Sequence, residues 1–228
     1  MLTTVLFPSS YEGVKQIDED FVQEYDAICE NPQLHPILFG YDAWFSENKL
    51  RLSEKPEADV YAVYRGWMMQ PEKYTDFFER LAERHIHLLT TPEMYTRMHM
   101  FPLIYPEIQE DTARIQTFPL HTKIDVELLK NTFKRFMVKD YVKSVKGTEF
   151  PASFDGTITQ EDFDRWMEVF YHYRSSLLTG GICIKEYLPL KRYGGKTNEY
   201  RVSIFSTRSS AYAEIRSKAT IPRKCRRN

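Results

Sequence analysis

FMVKDYVK, residues 136–143, sets five apolar or aromatic side chains around two lysines and an aspartate. In a strand successive side chains alternate faces, so Phe136, Val138, Asp140 and Val142 share one face while Met137, Lys139, Tyr141 and Lys143 share the other. Both lysines then point the same way, roughly 13 Å apart at about 3.3 Å per residue. An ammonium withdrawn from water needs an anionic partner. Two readings follow: a face that receives a polyanionic ligand, or an edge strand guarded by lysines against pairing with other chains.

Upstream, Val126, Leu129, Phe133 and Phe136 predict a helix over 123–136 that leads directly into this strand. Downstream, residues 144–155 carry Gly, Pro and Ser and read as an exposed loop. Thr159 with Asp162 resembles a capping box opening a long helix, with Phe163, Trp166, Met167, Phe170, Tyr171 and Leu178 as its stripe and Gly180-Gly181 as its end. ICIKEY (182–187) and EYRVSIF (199–205) then read as strands. The second half is thus predicted as an α+β unit of antiparallel character. In the first half, strand-like runs at 4–7, 35–41, 58–64 and 87–89 alternate with helical stripes over 21–29 and from Pro71 to His85. That alternation predicts an α/β unit with a largely parallel sheet.

With 42% hydrophobic and 14% aromatic residues in 228, the chain can bury a globular core. A net charge of -1 provides no overall basic field of the kind that attracts nucleic acid. From Ser206 onward, however, Arg208, Arg216, Lys218, Arg223, Lys224, Arg226 and Arg227 face only Glu214, so any nucleic-acid contact is confined to this basic tail. Cys29, Cys183 and Cys225 are odd in number and widely spaced, which fits neither a disulfide scaffold nor a zinc cluster and suits a reducing compartment. MLTTVLFPSS lacks a basic leader region, and no apolar run nears the roughly 18 residues of a membrane span. The expectation is a soluble cytoplasmic protein with no membrane partner.

On the strand at 199–205, Glu199, Arg201, Ser203 and Phe205 share a face. Arg201 there suits either a cross-strand ion pair or bidentate contact with phosphate. Glu186 closes an apolar strand just before a turn, where backbone groups become free to bond a ligand. DGTITQEDF (155–163) imitates half of a calcium loop but places Pro151, Ser153 and Asp162 at ligand positions, so it reads as a turn and helix cap. His85 and His87, near Glu83, lack a third convincing metal ligand and read as structural. Phosphate-loop, dinucleotide, nucleophile-elbow and paired-cysteine motifs are all missing from the sequence.

In order, VKDYVKS, a loop and long helix, GGICIKEYLPL and NEYRV resemble the ATP-grasp superfamily, most closely its small phage and bacterial clade of peptide-ligase-like proteins. VYRGWMM (63–69) and TTPEMY (90–95) extend the likeness over roughly residues 1–205. The resemblance implies an N-terminal Rossmann-like, pre-ATP-grasp α/β domain (1–107), an ATP-grasp nucleotide-binding region (108–205) and a basic tail (206–228) read as disordered. It implies ATP bound between subdomains, with Lys139 on the phosphates and Lys143 as the second candidate. Glu186, Tyr187 and Leu188 would form the adenine hinge, and Arg201 would reach the phosphates or the acyl-phosphate intermediate. Arg65 would face a small-molecule or peptide substrate. The implied activity is ATP-dependent carboxylate-amine ligation.

The departure lies at the end. The family continues with strands bearing an Asp or Glu and then Glu-x-Asn, which hold magnesium, whereas this chain runs IFSTRSSAYAEIRSKATIPRKCRRN with Glu214 as its sole acid and no strand-like alternation. The C-terminal part of the fold therefore reads as incomplete, and no metal ligand is identifiable. A shifted reading frame and a truncation both explain this. It leaves open an active ligase, one inactive for want of magnesium, or a non-catalytic nucleotide-binding module whose tail contacts nucleic acid or a protein.

Overall fold

In the computed structural model the described residues are 3–11 and 13–194, with the backbone alone described for 196–197, 200–205 and 208–214. The first unit is built on β1 (Thr3–Ser10), β3 (Leu34–Phe39), β4 (Val60–Tyr64) and β5 (Ile86–Leu88), all parallel in the order β3-β1-β4-β5. A short antiparallel strand, β2 (Gly13–Ile17), folds back on the end of β1. The alternation of β1 sorts its side chains between two cores. Leu6 packs with Ile37, Phe39, Trp44 and Phe77, placing α2 (Tyr41–Glu47) and α3 (Pro71–Ala82) on one face. Val5 and Phe7 pack with Phe21, Tyr25 and Ile28, placing α1 (Val22–Cys29) on the other. Burial on both faces is what a parallel sheet requires.

Helices α4 (Pro92–His99) and α5 (Phe101–Ile108) lead to the second unit. Its sheet has the order β6-β9-β7-β8, with β6 (Ile115–Phe118), β7 (Arg135–Asp140), β8 (Phe154–Asp155) and β9 (Ile182–Glu186) antiparallel throughout. Phe136, Val138, Ile182 and Ile184 point to one face, where α6 (Val126–Thr132) and α7 (Gln160–Arg174) cover them through Leu129, Phe163 and Phe170. The opposite face carries Met137, Lys139, Cys183 and Lys185. Two hairpins follow: β10 (Arg192–Tyr193) with β11 (Lys196–Thr197), and β12 (Tyr200–Phe205) with β13 (Arg208–Glu214).

The parallel and antiparallel halves agree with the sequence patterns, and several boundaries do not. The helix expected over 123–136 is α6 alone, begun by Asp125, whose side chain accepts from Glu127 N and Leu128 N. Phe133 and Phe136 satisfy a helical spacing, but Phe133 is extended and Phe136 lies on β7. The strand that opened the analysis ends at Asp140, so Lys143 is not on it. Asp140 stops the ladder itself: its Oδ1 accepts from Val142 N at 2.7 Å and Lys143 N at 2.6 Å, which turns the chain. Helix α7 ends at Arg174, short of Gly180, because Ser175 takes a positive φ of 39° and a 3-10 turn follows. The expected strand over 35–41 stops at Phe39, and Tyr41 starts α2.

In the tail, the backbone of 208–214 forms β13 against β12, which corrects the expectation of no strand there. Backbone pairing with an adjacent apolar strand does not require apolar alternation in both partners. The remainder of the tail and Glu199 lie outside the described residues. The cap expected at the start of α7 is present in its first half, with Thr159 Oγ1 accepting from Asp162 N at 3.1 Å, while the Asp162 carboxylate accepts from the Thr159 hydroxyl and not from its backbone N–H.

Gly180 shows why this glycine stands between α7 and β9. It has a φ of 73°, and a Cβ added there would lie 2.2 Å from Tyr141 Cδ2. Tyr141 is pinned in place, its N–H donating to Thr179 O and its carbonyl accepting from Phe101 N. Gly180→Ala combines backbone strain with overpacking and is expected to lower stability by about 2–4 kcal/mol in urea unfolding. A change within error would show that Tyr141 can move aside.

Candidate functional site

The face of the second sheet turned away from α6 and α7 brings two lysines together. Met137 is opposite Lys185 and Lys139 opposite Cys183 across β7 and β9, so Lys139 and Lys185 lie diagonally on one surface. Phe101, at the start of α5, reaches over both: Lys185 Nζ is 4.0 Å and Lys139 Nζ 5.7 Å from the ring centroid. Both lysines are half-buried, and among the described residues neither forms an ion pair with a carboxylate. Among the described residues Lys185 Nζ donates to Thr112 Oγ1 alone, at 3.4 Å.

Burial lowers the pKa of both lysines, and for Lys185 the charge of Lys139 lowers it further. Cys183 does not supply the missing anion. Burial pushes its thiol up to about 11, so it is neutral near pH 7. Phe101 offers a cation–π contact worth about 0.5–2 kcal/mol, too little to offset two desolvated ammonium groups. Among the described residues nothing on this face balances the two charges.

On the other face of β7, Asp140 is wholly buried and bound to Arg174, whose Nε and Nη2 donate to Oδ2 at 2.9 and 2.6 Å. Nη2 also donates to Leu177 O at 2.7 Å. Asp140 therefore spends its charge on Arg174, not on a lysine. Lys143 is exposed and lies beside a cavity at the seam between the two units. The structure thus separates the two lysines that a continuous strand would have set side by side.

The hinge residues have distinct surroundings. Glu186 is on the helix-facing side of β9 and accepts from Arg114 Nε and Nη2 at 3.1 and 3.0 Å, which holds its carboxyl below the usual range. Tyr187 donates its backbone N–H to Arg135 O at 2.9 Å, and the Arg135 guanidinium lies 4.5 Å over its ring. Leu188 is exposed. Arg65 leaves the C-terminal end of β4, a usual ligand edge of a parallel sheet, but its guanidinium is paired with Glu24 and stacked on Phe21 at 5.1 Å. Arg201 is on β12 opposite Ala213, and its side chain lies outside the described residues.

Lys185 and Phe101 were missed because the first is revealed only by the register of β9 on β7 and the second only by the path of α5. The alternation of ICIKEY placed Lys185 beside Cys183, but nothing local set it against Lys139. His85 and His87 both meet Asp59 Oδ1, at 2.9 and 3.1 Å. Among the described residues there is no cluster of three or more His, Cys, Asp or Glu that could hold a metal. No helix among the described residues is long and apolar enough to cross a membrane.

No protein-family model matches the chain, and no curated protein matches it in sequence. Solved structures do. D-alanine--D-alanine ligase from Bacillus anthracis complexed with ATP superposes with a TM-score of 0.57 at 11% identity, over 96% of this chain and 67% of that one. D-alanyl-alanine synthetase A from Vibrio cholerae O1 biovar eltor gives 0.54 at 12% identity, over 96% and 68%. The ATP-grasp ligase PsnB complexed with minimal precursor gives 0.52 at 12% identity, over 98% and 75%. The fold is that of the ATP-grasp ligases.

Two outcomes test the electrostatics. Arg174→Met leaves a buried carboxylate unpaired and should cost about 3–5 kcal/mol in urea unfolding, part of which Asp140→Leu in the same chain restores; equal losses in the single and double variants would mean that packing, not charge, sets the cost. Lys139→Met should instead stabilise the protein. Because the folded pKa is lowered, the penalty is full below it and disappears as pH rises toward the ordinary lysine value of about 10.4. The gain from Lys139→Met should therefore be largest at neutral pH and shrink in alkali, and a gain that grows with pH would contradict it.

Proposed function

We propose that this chain, folded as the ATP-grasp ligases are, binds ATP on the Lys139 and Lys185 face and uses it to join a carboxylate to an amine. The observation that carries this reading is the pair of half-buried lysines on neighbouring antiparallel strands with no carboxylate partner among the described residues. The fold likeness, including a ligase complexed with ATP, gives it context.

The reaction suits these residue types. A carboxylate oxygen attacks the γ-phosphorus, the bond to the β,γ-bridging oxygen breaks, and ADP leaves. The amine then attacks the acyl carbon, releases phosphate and loses a proton. Neither step needs covalent help from the protein; both need fixed cations where negative charge spreads. Lys139 and Lys185 fill that role from β7 and β9, and Arg201 is assigned to the phosphates from β12. Tyr187 and Leu188 present the hinge to adenine, while Glu186 and Arg114 hold the end of β9 in place. Arg65, with Glu24, is assigned to the substrate side at the end of β4. The acceptor is an amine on a small molecule or peptide.

Calorimetry with ATP and ADP tests the reading. The parent should bind both, and Lys139→Ala, Lys185→Ala and Arg201→Ala should each weaken ATP by about tenfold or more, as expected for a lost charged phosphate contact. Binding a polyanion should also raise both lowered lysine pKa values. ATP should therefore take up protons at about pH 9.5, below the ordinary lysine value. An unmutated protein that neither binds nor is thermally stabilised by nucleotide would overturn the nucleotide reading.

A further inference from the structure

The cavity beside Lys143 has a composition of its own. It measures about 370 Å³ and lies where α2 and the start of α3 meet the turns after β7 and α7. That is near the low end of the roughly 300–1,000 Å³ typical of small-molecule sites. Its ionisable lining groups are Lys73, His99, Lys143 and Arg174, with no carboxylate among them. Asp140 lies behind, already bound to Arg174.

Each basic group contributes differently. Arg174 gives Nε and Nη2 to Asp140 and Leu177, and among the described residues its Nη1 has no bond. Lys73 is 4.3 Å over the Trp44 ring and donates to Asn48 Oδ1 at 2.7 Å, which uses one of its three N–H groups. Burial lowers its pKa. Lys143 Nζ has no ion pair among the described residues. Burial first, and then Lys143, push His99 below the usual histidine range while Asp140 opposes, so His99 is neutral near pH 7. Phe45, Met68, Met69, Val142 and Leu177 supply the apolar part of the wall, beside the polar Gln70, Ser176 and Thr179.

We propose that this cavity binds a small organic carboxylate with an apolar body, its carboxylate held by Lys143 and Lys73 and its body packed on Met68 and Met69. A triphosphate fits less well, because Arg174 is already neutralised and His99 carries no charge. Two ammonium groups and the two N–H groups of Arg174 Nη1 suit a single carboxylate. The site is distinct from the Lys139 face, which occupies the other side of β7, and it does not depend on that face binding nucleotide.

The methionines allow the two sites to be read separately. In protein labelled with ¹³C at the methionine methyls, Met68 and Met69 report this cavity and Met137 reports the Lys139 face. Titration with 3-phenylpropionate should shift Met68 and Met69 and leave Met137 in place. The neutral amide 3-phenylpropanamide should bind at least tenfold more weakly. Lys143→Gln and Lys73→Gln should each weaken the acid at least tenfold, while Lys73→Gln leaves the ATP titration at Met137 unchanged. Still methyls at Met68 and Met69, equal binding of acid and amide, or a Lys143→Gln protein that titrates like the parent would overturn the proposal. A Met137 signal that ignores ATP while Met68 and Met69 respond to the acid would defeat the nucleotide reading and support this one.

Discussion

The buried Asp140–Arg174 pair is the constraint on which the arrangement of the second unit depends. A fully buried carboxylate survives only when its lone pairs are met, and Asp140 accepts from two guanidinium N–H groups and from the backbone N–H groups of Val142 and Lys143. Those four bonds do more than satisfy a charge. The backbone pair ends β7 and turns the chain, and the guanidinium pair fixes the end of α7. Arg174 is then anchored to Leu177 O, which sets the 3-10 turn and the approach to Gly180. The wall of the seam cavity that the second unit contributes, from the turns after β7 and α7, follows from this one carboxylate.

The same pair divides the cations between two surfaces. If β7 continued as a regular strand, Lys139 and Lys143 would share a face and approach one ligand together. Because Asp140 turns the chain, Lys143 faces the seam, and the second charge on the Lys139 side comes from Lys185 on β9. The substitute is better placed than the original in one respect. It sits across a hydrogen-bonded ladder, so its position is fixed by backbone pairing and not by a loop. The cost is like-charge repulsion between two half-buried lysines, seen in the lowering of Lys185 by Lys139.

How much of this could be read from the chain depends on the range of each interaction. The period of two put Phe136, Val138 and Asp140 on one face and Met137 and Lys139 on the other, as the structure has them. Alternation is local and therefore visible. The parallel first sheet and the Thr159 cap of α7 were legible for the same reason. Asp140 stood on the apolar face without a visible partner, because Arg174 is 34 residues away. Lys185 needed the register of β9 on β7, and Phe101 needed the path of α5. The end of β7 was misjudged because an aspartate that captures backbone N–H groups looks, in sequence, like one more residue of a strand. The helix at 123–136 was overlong because Phe133 and Phe136 satisfy both a helical period and an extended exit into β7.

A protein seldom keeps two desolvated ammonium groups side by side for stability, since hydrophobic residues of similar volume would serve better. Burial opposes the charge of both lysines in the free protein, and an anion bound there would favour it. Binding, protonation and folding stability are therefore linked through the same two groups. A merely protective lysine on an edge strand would behave otherwise: its ammonium would be solvated, its pKa ordinary, and its removal neutral for stability. Half-burial of Lys139 beneath Phe101 thus departs from what a guarded edge would show.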